Sequence, residues 1–334
     1  MKTSEGFYRS RIAGSGSYLP EKVLTNKDLE KLVETNDEWI RERTGIGARH
    51  IAAEGEYTSD LGLKASEIAL DQAGMKASEI EAILFATVSP DQVMPNTACE
   101  MQRKIGAPKC MALDISAACS GFVYGMSVAD QFIKTGHYKN VLVVGAEVLH
   151  PYVDYSARDT CILFGDAAGA VVLKRAEESE DSEIYSSHLA ADGEISDLFV
   201  LPAGGSRMPF SQKVLDEKAQ FVRMKGREIF KHAVRTMSQA CDLALKTNDM
   251  KPDDVSWIVP HQANVRIIEA VAKHFGVPMD KVVVEIEDMG NTSAATVPVA
   301  LDKAIKDGRI QRGQNIILTA FGAGITSGSL IMRY

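Results

Sequence analysis

The chain reads as one unit written twice. Slid by about 174 residues, SEIEAILFAT (78–87) lies over PDDVSWIVPH (252–261) and KTGHYKNVLVVGAE (134–147) matches KDGRIQRGQNIILTAFG (306–322) with a small insertion; further on, at a shift shortened to 159, AGAVVLKR (168–175) matches SGSLIMRY (327–334). A period this long does not suit a solenoid; it suits internal duplication of one α/β layer unit. The polar stretch EESEDSE (177–183) marks the seam, which gives an N-terminal half over 1–180 and a C-terminal half over 181–334. Equivalent strand ends of the two halves should then face each other across a pseudo-twofold axis, and a shared cleft belongs on that seam.

Within each half, short continuous apolar runs alternate with helical patterns. AILFAT (82–87), NVLVVGAEV (140–148), AGAVVL (168–173), WIVP (257–260) and NIILTAFG (315–322) read as strands covered on both faces. No charged residue occurs from Ser120 to Ala129 or from Asn291 to Leu301, although both windows have helical length. A helix apolar all round belongs in a core, so each half contributes one buried helix between two sheets, in five layers αβαβα. Pro298 is tolerable only in a first turn, so the second of these helices begins near Ala295.

The 334 residues carry 37 Lys and Arg against 45 Asp and Glu, a net charge of -8. That balance argues against nucleic acid or an anionic membrane as partner, because both need a basic surface. The N-terminal MKTSEGFYRS has no apolar signal segment and no uncharged run approaches a membrane span, so a cytoplasmic protein is expected. Five scattered cysteines (Cys99, Cys110, Cys119, Cys161, Cys241), with no Cys-x-x-Cys and no paired histidine spacing, disfavour a disulfide framework and a metal site.

One cysteine has a context that predicts reactivity. MALDI (111–115) reads as a strand, SAACSG as a tight turn and GFVYGMSVADQFIKTG (121–136) as a helix closed by Gly136. Cys119 then sits at the N-terminus of a buried helix, in the geometry of a nucleophile elbow, where exposed N–H groups favour thiolate and lower the pKa below ~8.5. His261 follows VSWIVP at the C-terminal end of its strand, over Thr87 in the repeat, with Gln262 and Asn264 polar just beyond the core. Asn291, in MGNTSAA, lies in the repeat counterpart of the Cys119 turn. A Cys, a His and an Asn at ends related by the repeat should meet in one cleft. The order also describes papain-like proteases, but those place the cysteine near a mature N-terminus, unlike Cys119. GSGSYLP (14–20) lacks the third glycine of a dinucleotide loop, and GDAAGA (165–170) reads as a tight turn between packed layers.

These residues resemble the β-ketoacyl-acyl-carrier-protein synthase III family of the thiolase superfamily. The resemblance spans essentially the whole chain, through GSGSYLP, NDEWIRERTGI (36–46), DISAACSGF (114–122), RDTCILFGDAAGA (158–170), VPHQANVRII (259–268), GNTSAATVP (290–298) and FGAGITSGS (321–329). It implies the thiolase fold, a homodimer, and two substrates, acyl-CoA and malonyl-acyl carrier protein (malonyl-ACP), with no metal or redox cofactor. Cys119 would take an acyl group, and His261 and Asn291 would hydrogen-bond the malonyl thioester as it loses CO2. The N–H groups of Cys119 and Ala323 would form the oxyanion hole. A synthase of specialised metabolism with another primer or acceptor shares the same motifs.

The resemblance further implies that Trp39, Arg43 and Arg158 meet the adenine and phosphates of CoA and that Asn264 touches its pantetheine. Lys231, Arg266 and Lys273 would flank the tunnel mouth and receive the carrier protein. In the sequence itself Arg223, Arg227, Lys231 and Arg235 recur every four residues, a basic stripe opposite Ile229, Ala233, Val234 and Met237. In a chain of net -8 it is the local patch an acidic partner needs. Two positions depart from many relatives: Met94 stands where an aromatic residue reaches into the partner subunit's acyl pocket, and Ser327 where a Trp is common. The resemblance implies acetyl-CoA as the primer that opens fatty-acid synthesis; a methionine fills irregular space, so tolerance of longer or branched acyl groups is expected beside it.

Overall fold

The computed structural model describes residues 6–334; the first five residues of MKTSEGFYRS lie outside them. The elements that position the site are, in the first half, β1 (Ser10–Tyr18), α1 (Asp37–Thr44), α2 (Thr58–Gln72), β2 (Ala82–Ala86), α3 (Thr97–Ile105), β3 (Met111–Ile115), α4 (Gly121–Lys134), β4 (Asn140–Glu147) and β5 (Ala167–Arg175). The second half supplies β6 (Glu183–Ala190), α5 (Gly226–Thr247), β7 (Trp257–Pro260), α6 (Val265–Phe275), α7 (Thr296–Lys306), β8 (Asn315–Gly322) and β9 (Thr326–Arg333).

The first sheet runs β1-β5-β4-β2-β3 and the second β7-β8-β9-β6. Read from the opposite edge, the second repeats the first, with parallel pairing of β2 to β4 and of β7 to β8 and antiparallel pairing around β5 and β9. The fifth strand of the second half is reduced to a single parallel bridge, Ile258 to Val282. The register sharpens the repeat. Ala82 pairs with Val141 where Trp257 pairs with Ile316, an offset of 175, so the counterpart of His261 is Ala86 and not Thr87.

Every residue of β2 is buried, as is all of β4 beyond Asn140, because helices cover both faces. The layer between the sheets is α4 and α7. Phe122, Val123, Met126, Ala129 and Ile133 of the one, and Val297, Ala300, Leu301 and Ala304 of the other, share a single core with Leu84, Val143, Val171, Val259, Leu318 and Leu330. Helices α2 and α3 cover the outer face of the first sheet through Leu61, Ala65, Ala98 and Met101. Helices α5 and α6 cover the second through Ala233, Met237, Ile268 and Val271. Five layers result. Gly14 and Gly16 of GSGSYLP serve the packing: a Cβ on either would stand 2.2 Å from a carbonyl oxygen of α2.

Two local expectations are corrected. GDAAGA is no turn between layers, since from Ala167 it runs as the first residues of β5. Arg223 lies in a two-residue strand ahead of α5, which begins at Gly226, so the helical stripe is Arg227, Lys231 and Arg235.

Candidate active site

The chain leaves β3 at Ile115 and makes one tight turn, Ala118–Ser120, before α4 begins at Gly121. Ala118 adopts φ 47°, a conformation disfavoured for a residue with a Cβ. It aims Cys119 out of the strand end toward the seam. In the second half Ser293–Ala295 makes the same turn before α7, with Ser293 at φ 48°. The two elbows are repeat counterparts, and the second carries Ala294 where the first carries the thiol.

Cys119 is 4% exposed. Burial pushes its thiol up to about 12, and the carboxylate of Glu147 adds to the rise; the Ser293 hydroxyl and the cysteine's own amide oppose it. Against the depression expected at a helix N-terminus, burial in an apolar cleft sets the direction of this shift upward. Cys119 therefore rests as a neutral thiol. His261 is also buried, and burial alone pushes its pKa down to about 3, so the imidazole is neutral.

Each polar group is held from behind. The His261 backbone N–H donates to the Thr319 carbonyl at 2.8 Å, and its Nδ1 lies 2.6 Å from Thr296 Oγ1. Asn291 Oδ1 accepts the Ser293 N–H at 2.9 Å, which fixes the amide orientation and leaves its Nδ2 as the group to donate. The Asn291 backbone pairs with the segment before β5: its N–H donates to Leu163 O, and Gly165 N–H donates to Asn291 O. Arg49, fully buried, secures that segment by donating to Ile162 O at 2.6 Å and to Asn26 Oδ1 at 2.8 Å. Gln262, expected to be polar just outside the core, is fully buried and structural. It donates to the Pro260 and Val283 carbonyls and accepts the Glu285 N–H.

Ala323 meets the Cys119 turn because Gly322 has no side chain. A Cβ there would stand 2.6 Å from the Cys119 nitrogen. Thr326 Oγ1 donates to Ala117 O at 3.0 Å, and Ser120 Oγ donates to Thr326 O at 3.1 Å, so the two turns are laced together. Cys119 and Ala323 share the wall of a cavity of about 160 Å³, otherwise lined by apolar groups such as Leu149, Val153, Phe164, Phe199 and Val222. A second cavity, of about 320 Å³, counts Trp39, Arg43, Asn264, Cys119, His261 and Asn291 among its lining residues.

The structure thus brings Cys119, His261, Asn291 and Ala323 together, and joins Trp39, Arg43 and Asn264 to the same cavity. Arg158 stacks over the Trp39 ring at 4.8 Å and Arg43 at 5.7 Å. Asn264 caps α6 through the Arg266 N–H and donates to Arg43 O at 3.0 Å, tying α6 to α1. Lys231, Arg266 and Lys273 are exposed on α5 and α6, which pack on each other. Met94 lines neither cavity of its own chain and is 81% exposed. Among the described residues no group of three or more His, Cys, Asp and Glu is placed to hold a metal ion, and no helix is long and apolar enough to cross a membrane.

Sequence reasoning missed Gly322, Thr296, Thr326 and Arg49. FGAG signalled a close approach of backbones. The other three act across more than a hundred residues or through one hydroxyl, and no local pattern marks them.

Comparisons with known proteins show the family. Residues 113–193 match the family described as 3-oxoacyl-[acyl-carrier-protein (ACP)] synthase III, and residues 245–334 match its C-terminal family. The β-ketoacyl-[acyl-carrier-protein] synthase III of Xanthomonas campestris pv. campestris is 52% identical over 325 residues, 97% of this chain and 98% of that one. The same enzyme of Thioalkalivibrio sulfidiphilus is 49% identical over 97% of this chain and 99% of its own. Among solved structures, 3-oxoacyl-[acyl-carrier-protein] synthase III from Aquifex aeolicus superposes with a TM-score of 0.90 at 46% identity, covering 97% of this chain and all of that one. The priming β-ketosynthase of the R1128 polyketide pathway superposes with a TM-score of 0.90 at 30% identity, covering 98% and 96%.

Proposed function

The chain belongs to the β-ketoacyl-acyl-carrier-protein synthase III family, with the thiolase fold, and from that premise we propose that Cys119, His261 and Asn291 carry out its two half-reactions. The enzyme is a condensing acyltransferase that opens fatty-acid synthesis by joining an acyl primer to malonyl-ACP.

In the first half-reaction Cys119 Sγ attacks the thioester carbonyl of acyl-CoA. The carbonyl oxygen takes up charge between the N–H groups of Cys119 and Ala323. The C–S bond to CoA breaks, and the thiol proton leaves with CoA. In the second, malonyl-ACP loses CO2 and its electron pair becomes an enolate on the thioester oxygen. Neutral donors at His261 and Asn291 suit this charge because it exists only transiently; each is worth ~10²-fold or more. The enolate carbon bonds the acyl carbon, Cys119 sulfur leaves and regains a proton, and β-ketoacyl-ACP departs. CoA enters as a thioester substrate, and the proposed steps call on no further cofactor.

The observation that carries the reading is the cavity that joins Cys119, His261 and Asn291 to Trp39 and Arg43, a run from adenine-stacking groups to the nucleophile. Trp39, Arg43 and Arg158 suit the nucleotide end by stacking and phosphate contact, and Asn264 lies where the pantetheine would pass. Exposed Lys231, Arg266 and Lys273 would receive the carrier protein on a chain that is otherwise net acidic. A homodimer is proposed because the edge strand β3 is only half-covered and Val93 and Met94, beside it, are 80% and 81% exposed. Met94 would then reach the partner's acyl cavity. A cytoplasmic location is proposed with it, where acyl-CoA and malonyl-ACP would both be met.

The apolar cavity beside Cys119 would take the acyl chain of the primer, and the partner's Met94 entering it would set the length accepted; the second reading, a condensing enzyme of specialised metabolism, differs in that primer.

Intact mass measurement after exposure to acyl-CoAs of two to eight carbons, followed by malonyl-ACP, tests the whole reading. An acyl adduct that malonyl-ACP discharges as β-ketoacyl product is expected, and the chain length of largest yield reports the primer. Absence of any adduct, or an adduct in Cys119→Ala, would sink the nucleophile assignment. Lys231→Glu should weaken use of malonyl-ACP several-fold more than use of acyl-CoA; equal losses would count against the docking face.

A further inference from the structure

A neutral imidazole has one proton for two ring nitrogens, and which nitrogen holds it decides whether His261 donates to the substrate or accepts from it. Nδ1 faces Thr296 Oγ1 at 2.6 Å, with both side chains buried. Nε2 is the nitrogen left for the cavity that His261 lines. If the threonine hydroxyl donates to Nδ1, the ring proton sits on Nε2 and points at the substrate. If it accepts from Nδ1, Nε2 is a bare acceptor.

The surroundings of the hydroxyl favour the first arrangement. The hydroxyl is also within donating distance of the Ser293 carbonyl, at 3.0 Å, an oxygen that accepts the Thr296 backbone N–H as well. The single hydroxyl proton can serve only one of the two, and the contact with Nδ1 is the shorter. Nor does the elbow itself need a threonine. Its counterpart in the first half, Gly121, opens α4 from the same kind of turn with no side chain at all, and there Ala86 stands in place of the histidine. The hydroxyl occurs in the half that carries the ring.

We propose that Thr296 is a positioning residue for the condensation step: its hydroxyl donates to Nδ1 and so presents His261 Nε2–H to the thioester oxygen of malonyl-ACP. This rests on the reading of His261 as a donor in that step. Thr296 touches no substrate and acts through the ring alone.

Nitrogen NMR of the histidine-labelled wild-type protein tests the proton's place without any substitution. The His261 signal, assigned by its loss in His261→Ala, should show the proton on Nε2; a proton on Nδ1 overturns the proposal. The kinetic arm uses Thr296→Val, which keeps the shape, and Thr296→Ser, which keeps the hydroxyl. In Thr296→Val, kcat for malonyl-ACP decarboxylation should fall ~10- to 100-fold with KM nearly unchanged, while Cys119 acylation stays within about twofold. Thr296→Ser should return to within about threefold of wild type. Unchanged decarboxylation in Thr296→Val, an equal loss of acylation, or no rescue by serine would each overturn it. His261→Ala separates this outcome from failure of the underlying reading: if decarboxylation survives that change, the role of His261 itself is wrong.

Discussion

Two elbows with the same backbone open the two central helices, and they do opposite work. The first sets Cys119 beside two amides; the second sets Ala294, 0% exposed, where the first sets sulfur. The strand ends that approach them differ in the same complementary way. At the end of β8 stands Gly322, which lets the chain close to 2.6 Å of the Cys119 nitrogen as measured from a hypothetical Cβ. Its counterpart at the end of β4 is Glu147, a buried carboxylate that accepts from Thr87, Val88 and Ser89. The connections that follow diverge too. After β8 the tight turn Ala323–Ile325 supplies an amide, whereas after β4 the longer loop from Val148 to Asp166 supplies the cavity walls Leu149, Tyr152, Val153 and Phe164. A duplicated frame preserves geometry, and in the proposed mechanism side-chain divergence divides one reaction between the copies: the nucleophile from one half, the donors and the second oxyanion amide from the other.

The comparison breaks most sharply if the nucleophile is moved. Cys119→Ala should lower acyl-enzyme formation ~10⁴-fold or more, and adding Ala294→Cys should not restore it, because that elbow lacks the amide pair and the cavity. Intact mass after acyl-CoA exposure reads both; an adduct on the thiol introduced at the second elbow would show that backbone alone makes an elbow reactive.

Next in size is Gly322→Ala. The new Cβ must push β8 away from the Cys119 turn, so acylation should fall ~10²-fold by loss of one oxyanion donor, with the fold retained. Single-turnover acylation with unchanged unfolding cooperativity is the expected pair of observations; a wild-type rate would mean that the Ala323 amide does not contribute.

A third prediction concerns pH. With the Cys119 thiol pushed up to about 12, alkylation by a small neutral reagent should rise roughly tenfold per pH unit from about pH 6 to about pH 9 and show no plateau. A plateau near pH 7 would instead mean that the helix N-terminus prevails.

The smallest effect is on stability. His261 has a folded pKa of about 3 against an ordinary 6.5, so its contribution is fully present above pH 6.5 and is lost as pH falls toward 3. Between about pH 7 and about pH 5 that loss is about 2 kcal/mol. Urea unfolding at the two values should show it in wild type and not in His261→Asn; the same slope in both proteins would place the acid sensitivity elsewhere.

Much of this was legible in the chain. The repeat, the buried strands, the two uncharged helices and the turn at Cys119 follow from local pattern, since burial on both faces and sharp turns restrict which residues can stand there. The register was legible only to within one residue. Short apolar runs such as SEIEAILFAT and PDDVSWIVPH can be slid by one residue, and strand pairing, which turns on backbone hydrogen bonds, made Ala86 the counterpart of His261. The stripe from Arg223 was likewise one residue too long, because spacing of four cannot tell a helix from the strand before it.

By itself the sequence determined a duplicated α/β chain with one cysteine at a helix start, because hydrophobic periodicity and turn chemistry act over short stretches. Only the tertiary structure decided that this cysteine rests as a buried thiol, that Gly322 brings a second amide to it, and that Thr296 stands behind His261. Each depends on which distant groups share a low-dielectric cleft, and desolvation and close backbone approach belong to the assembled layers and not to any one segment.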